Sequence, residues 1–108
     1  MIHNIIQVHT SSGVYYFSPL EIIRCEASNN YTWFYLTGKR KVLVAKTMGK
    51  YEASLSENNF IRIHRTDIVN ISHISRVEKY GVVWLTDGTC LTISKRRRTH
   101  VSQMLIRA

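Results

Sequence analysis

Four groupings of polar side chains in this sequence have the chemistry to grip a polyanion. The first is Lys95-Arg96-Arg97-Arg98, an unbroken cationic run directly after Ser94, a residue type that caps helices. Cations at a helix start face the positive end of the macrodipole and cost about 0.3–1 kcal/mol each when exposed. A helix start that carries them together with free N–H groups is suited to phosphate. The bland alternative is a solvated charged face. The second grouping is His64-Arg65, and the third is Asn70 with His73, all threaded through the apolar stretch Phe60–Ile74. Arg65, Lys95 and Arg96 can address guanine or phosphate, Asn70 can bond adenine through two hydrogen bonds, and His64 and His73 can donate to either. Asn70 suits a turn equally well. The fourth is Asn30-Tyr31, at the end of the turn sequence Ser28-Asn29-Asn30. Asn30 there is either a reader or turn chemistry. Tyr31 and Trp33 either stack on bases or fill a core. Arg62, alternating with apolar neighbours, suits a solvent-facing or salt-bridging place, and Asp67 is placed to orient Arg65.

Enzyme chemistry finds little support. His3, His9, His64, His73 and His100 show no zinc-ligand spacing with either cysteine. Paired carboxylates are scarce and no glycine-rich phosphate loop is present. Ser94 has His100 nearby in sequence, but nothing marks them as nucleophile and base. The sequence therefore predicts no catalysis, no metal and no cofactor.

The elements that must hold these groups are mostly strands. Ile5–His9 and Val14–Phe17 flank Thr10-Ser11-Ser12-Gly13 and read as a hairpin. Ser18-Pro19 is a turn or short helical start. Ile22–Ala27 and Tyr31–Leu36 are strand-like around the Ser28–Asn30 turn, and Thr37-Gly38-Lys39-Arg40 leads into Lys41–Ala45. The period then changes. Thr47 is placed to cap a helix in which Met48, Tyr51 and Leu55 recur at three- and four-residue steps, ended by Asn58-Asn59. Phe60–His64 returns to period two. Ser75–Tyr80 and Val82–Thr86 are strands around Gly81, and Asp87-Gly88 is a strong hairpin signal leading to Cys90–Ile93. A final helix presents Val101, Met104 and Leu105 on its apolar face. No linker divides the chain and no internal repeat is found, so residues 1–108 read as a single domain.

Composition narrows the partner. The chain carries 15 Lys+Arg against 7 Asp+Glu, a formal charge of +8. The last acidic residue is Asp87, and everything after it is neutral or basic. This points to a polyanionic partner or an anionic membrane surface. With 44% hydrophobic residues, one proline and five glycines, disorder is not expected. No stretch approaches the ~20 apolar residues of a membrane span, and no signal peptide is visible. Cys25 and Cys90 read as reduced, buried thiols of a cytoplasmic protein.

Taken in order, Ile22-Ile23-Arg24-Cys25-Glu26-Ala27-Ser28-Asn29-Asn30-Tyr31-Thr32, Lys46-Thr47-Met48, Leu55, Phe60-Ile61-Arg62-Ile63-His64-Arg65, Ile68-Val69-Asn70, Ile74, Asp87-Gly88 and Ile93-Ser94-Lys95-Arg96-Arg97 resemble the LytTR DNA-binding domain. The resemblance covers nearly the whole chain. It implies a mainly β fold with two short helices, an elongated arrangement of short antiparallel sheets. It further implies a bacterial transcription regulator, commonly the output half of a two-component response regulator, that inserts loops and strand ends into successive major grooves and bends the DNA. The family's DNA-contacting positions fall here on Asn30 and Tyr31, on Asn70, and on Lys95 with Arg96 beside it. Lys95 stands where the family commonly has arginine. A lysine lacks the planar fork, so base discrimination there is expected to weaken or to pass to Arg96. No receiver domain is present, which implies an output domain alone or a chain regulated another way.

The expected function is sequence-specific binding of double-stranded DNA, by two copies on repeated half-sites, since one small module supplies limited interface. Asn30, Tyr31, His64, Arg65, Asn70, Lys95, Arg96 and Arg97 form the expected site, with a receiver domain or sensor kinase system as a further partner. Two other classes stay open: an RNA or single-strand binder using Tyr31 and Trp33, and a basic module docking an acidic protein.

Overall fold

The computed structural model describes residues 4–79 and 81–107. In β1 (Ile6–Thr10) and β2 (Gly13–Phe17), Ile6, Val8 and Phe17 turn inward while Gln7, His9, Val14 and Tyr16 face out. The two strands form an isolated hairpin closed between Thr10 and Gly13. A 3₁₀ turn, Pro19–Glu21, follows, tied by the Ser18 N–H donating to the Glu21 carboxylate at 2.9 Å.

Next come β3 (Ile22–Ser28), β4 (Tyr31–Leu36) and β5 (Arg40–Val44), joined by tight turns. Asn29 occupies the left-handed region at φ 55°, a place asparagine tolerates. The middle helix departs from expectation. It divides into a 3₁₀ turn, Met48–Lys50, and a brief α1 (Glu52–Ser56), and the Thr47 side chain makes no capping bond. The period was nevertheless correct, because Met48, Tyr51 and Leu55 are all buried. Past α1, Phe60–Ile74 is a hairpin, β6 (Phe60–His64) and β7 (Asp67–Asn70), followed by the 3₁₀ turn Ile71–His73. The break in alternation seen in the sequence is its Arg65-Thr66 connection, which lacks the Asn-Gly or Asp-Gly signature of such turns.

β8 (Ile74–Glu78), β9 (Val82–Leu85) and β10 (Cys90–Thr92) complete the strands, with Asp87-Gly88 turning β9 into β10 as expected. Tyr80, the expected end of β8, lies outside the described residues. A 3₁₀ turn, Lys95–Arg97, leads into α2 (Arg98–Arg107). The sheets are β1-β2, an antiparallel β5-β4-β3-β7-β6, and β10-β9-β8. The fold is thus mainly β, with several small antiparallel sheets and two short helices.

The five-stranded sheet is buried on both faces, which is why its strands carry apolar residues on both sides. On one face Ile22, Cys25, Phe34, Phe60 and Ile68 pack against the first hairpin and against Met48, Tyr51 and Leu55. On the other, Ile23, Ile61, Ile63 and Val69 pack against Val83, Leu85, Ile93 and Val101. Ile22 and Cys25 are an odd number apart yet reach the same core. A β-bulge between Ile22 and Arg24 resets the alternation. A second bulge between Arg62 and His64 bends β6 just before its turn.

Two expectations about buried residues are corrected. Both cysteines are free, but only Cys25 is buried; Cys90 points to solvent from β10. Burial pushes the Cys25 thiol far above its ordinary range. A thiol reagent is therefore expected to modify one cysteine in the native protein and both after unfolding. In α2, Val101 is buried and Leu105 packs on the second core, whereas Met104 is exposed.

The basic run also does not act as one face. Arg98 folds back toward Gly81, which sits at φ 78° with an added Cβ position only 2.8 Å from Arg98 Nε. Gly81→Ala would combine left-handed strain with that clash. It is expected to lower unfolding free energy by about 1–3 kcal/mol in urea titration.

Candidate nucleic-acid interface

Strand pairing gathers distant turns at one end of the five-stranded sheet. Glu26 pairs with Asp67, and the Ala27 N–H donates to Thr66 O at 2.8 Å. The Asn29-Asn30 turn therefore lies beside the Arg65-Thr66 turn. Beyond β6, the Ser94 N–H donates to Ile63 O at 2.8 Å, which brings Lys95 and Arg96 alongside His64. Asn30, Tyr31, Arg65, Lys95 and Arg96 are exposed there; His64 and Arg97 are half-buried. At ~4.8 Å per strand the two turns stand about 10 Å apart, with the start of the 3₁₀ turn at Lys95 a further strand spacing or more beyond.

The turns are braced from below. Arg62 donates from one guanidinium nitrogen to Glu52 Oε1 of α1 at 2.6 Å, from Nε to His64 O at 3.3 Å, and from its remaining nitrogen to Arg65 O. This resolves Arg62 as salt-bridging. It also brings in Glu52, which no sequence signal marked, because its partner lies on a different element. His64 Nδ1, the Thr66 hydroxyl and the Asp67 carboxylate form a chain of 2.9 and 2.8 Å contacts, so the imidazole is fixed in orientation. His64 Nε2 makes no hydrogen bond among the described residues.

Asp67 does not orient Arg65. It lies 3.8 Å from Arg24, whose guanidinium stacks 3.8 Å over the Tyr35 ring and lies 3.9 Å from Glu26. Burial pushes the Asp67 carboxyl above its ordinary value, against the Thr66 hydrogen bond and the Arg24 charge. The arrangement draws two carboxylates back toward Arg24, behind the exposed cations of the turns. On the far side, Arg97 is pulled below its ordinary value by partial burial and then by the charges of Arg96 and Arg62, with Glu52 opposing. Arg62 alone is ion-paired with Glu52, so Arg96 and Arg97 add positive charge there that no carboxylate among the described residues pairs.

Asn70 is the exception among the expected site residues. It lies at the other end of β7, three residues and about 10 Å from Asp67. Its exposure is 1%. Nδ2 donates to Pro19 O and Ile22 O, both at 2.9 Å, and Oδ1 accepts the Ser72 N–H at 2.9 Å. Every polar atom of the side chain is occupied inside the protein, so the turn-forming alternative describes this residue and base reading does not. His73 is likewise engaged, with Thr86 Oγ1 at 2.7 Å and Leu20 O at 2.8 Å. Neither ring proposed for stacking fills a core. Tyr31 is 46% exposed at the tip, and Trp33 is half-buried beneath Lys41, whose Nζ lies 4.7 Å from its ring. Ser94 caps through its backbone only, since its side chain makes no capping bond.

A mainly β framework that gathers cationic and amide-bearing turns at one end of a sheet is an architecture distinct from that of helix-turn-helix proteins. The LytTr DNA-binding domain profile matches residues 4–106. The chain belongs to the LytTR family of DNA-binding domains. It is 26% identical over 104 residues, 96% of its length, to the sensory transduction protein LytR of Staphylococcus haemolyticus (strain JCSC1435). It spans 39% of that relative's length. Among solved structures, the LytTr DNA-binding domain of a methyl-accepting/DNA response regulator from Bacillus cereus superposes with a TM-score of 0.79 at 19% identity, covering 94% of this chain and 96% of that one. That likeness shows the shared fold. No helix among the described residues is long and apolar enough to cross a membrane.

Proposed function

We propose that the chain, as one domain, reads specific double-stranded DNA sequences in the cytoplasm and regulates transcription from them. The observation that carries this reading is the single row formed by the Asn30 turn, the Arg65 turn and the Lys95–Arg97 turn. The outer members of that row lie roughly 17 Å or more apart at strand spacing. A minor groove is only ~6 Å wide between its two backbones. The row therefore suits a pose that straddles a minor groove, with Asn30 and Lys95–Arg96 reaching base edges in the major grooves on either side. Arg65 then faces the intervening minor groove and its phosphates, where a narrow groove favours arginine. His64 and Arg97 support the same backbones, and Tyr31 packs beside Asn30. Two copies occupy repeated half-sites, and a receiver domain or sensor kinase system supplies the signal.

Selection of bound duplexes from a random pool tests the reading. A motif with two blocks is expected. Asn30→Ala should flatten one block and Lys95→Ala the other, each by about 1–3 kcal/mol per contacted base pair. Equal loss at every position would leave only electrostatics. Preference for unpaired strands, abolished by Tyr31→Ala, would instead favour a stacking platform. Complex formation with an acidic protein, and no DNA preference at about 150 mM salt, would favour the protein-docking module.

A further inference from the structure

The row of turns continues past Asn30. β5 ends opposite the start of β4, with Val44 paired to Thr32. The Thr32 hydroxyl donates to Lys46 O at 2.7 Å, which fixes Lys46 beside the Asn30–Tyr31 turn, on the side away from Arg65. From there the chain bends through Met48–Lys50, anchored by the buried Met48. Between this bend and the outer face of the first hairpin lies an open concavity of about 530 Å³, lined by Gln7, His9, Tyr16, Lys46, Lys50 and Ser54 among others. Its polar lining is an amide, an imidazole, hydroxyls and two ammonium groups, and it includes no carboxylate. Neither Lys46 nor Lys50 joins an ion pair among the described residues, where only Arg24, Arg62 and Arg76 do so.

Resting on the duplex-binding reading above, we infer that this concavity is a second phosphodiester site, holding the DNA backbone on the outer rim of the groove entered by Asn30. Distance selects that rim. β5 lies one and a half strand spacings, about 7 Å, outward from the centre of the Asn30 turn, and Lys50 lies on the bend beyond it. A major groove is ~12 Å wide. Groups so far outward from a turn seated in the groove face its bounding phosphates, not its bases. Lysines suit that task, because an ammonium addresses phosphate as a point charge and needs no fixed planar geometry. Lys39 and Arg40 provide an internal contrast. They are cationic too, but they sit in the turn at the opposite end of β5, away from the row.

The test compares Lys46→Gln/Lys50→Gln with Lys39→Gln/Arg40→Gln, each pair removing two charges from exposed positions. Binding to the selected duplex is measured by fluorescence anisotropy from about 50 to 300 mM salt, alongside phosphate-ethylation interference. The Lys46/Lys50 pair is expected to flatten the slope of log K against log salt by about 2 and to erase interference at phosphates just outside the Asn30-dependent block. The Lys39/Arg40 pair should leave both nearly unchanged. Equal effects of the two pairs, or no ethylation interference on that flank of the unaltered protein, would overturn the inference while leaving the duplex reading intact. If the unaltered protein selects no duplex at all, both readings fall together.

Discussion

Asn70→Ala is expected to destabilise the protein by about 2–4 kcal/mol, with no shift in which base pairs the remaining folded protein prefers. The side chain is 1% exposed and holds three backbone groups: Pro19 O, Ile22 O and Ser72 N–H. Removing it strands those groups in a place water reaches poorly, at about 1–3 kcal/mol for a buried polar group left unmade. It also cuts the link between β7, the Pro19 turn and the Ile71–His73 turn. For a domain of this size, 1 kcal/mol shifts the melting midpoint by roughly 4–8 °C, so a fall of about 10 °C or more should appear in thermal unfolding. Asn70→Asp should fail similarly, because a carboxylate cannot donate to the two carbonyls. A variant of normal stability with a changed sequence preference would mean that Asn70 turns outward when DNA binds, and would reverse its assignment here.

Lys95→Gln combined with Arg96→Gln should leave stability almost untouched while weakening DNA binding roughly 10- to 100-fold at about 0.1 M salt. Both residues are exposed and neither is in an ion pair among the described residues. Both cations also neutralise the phosphates that flank the bases they reach, and each neutralised phosphate contributes about 0.9 to the slope of log K against log salt, so the slope should fall by nearly 2. Arg98→Gln should behave in the opposite way, costing stability with little change in slope, since that guanidinium turns inward against Gly81. Salt titrations of all three proteins on one duplex separate the cases. An unchanged slope for the Lys95/Arg96 variant would make the run a solvated surface.

The contrast between Arg98 and its neighbours shows how far residue type alone can lead. In sequence, Lys95 to Arg98 is one charge block. In the structure a 3₁₀ turn separates Lys95–Arg97 from the α-helical Arg98, and the change of direction sends the last guanidinium elsewhere. Asn70 shows the same limit. In β7 it shares a face with Ile68 and stands opposite Phe60, so strand alternation turns it toward the first core. That outcome was readable only once Phe60–Ile74 was known to be a hairpin, and Arg65-Thr66 carries none of the usual turn signals. Glu52 was invisible for a related reason, because a brace is defined by its partner, and Arg62 lies on another element.

What the sequence determined by itself was local: strands with apolar residues on both sides, the Asn29-Asn30 and Asp87-Gly88 turns, the spacing of Met48, Tyr51 and Leu55, the excess of positive charge, and the ordered set of residues that resembles the LytTR domain. These follow from backbone preference and side-chain period, which act over a few neighbouring residues. Tertiary structure alone decided which turns stand together. The order β5-β4-β3-β7-β6 puts Lys46, Asn30 and Arg65 at one end of a sheet, adds Lys95 through a single backbone hydrogen bond to Ile63, and sends Asn70 to the other end. Pairing between distant strands sets that order, and it depends on how two apolar faces are buried at once, which no local pattern encodes.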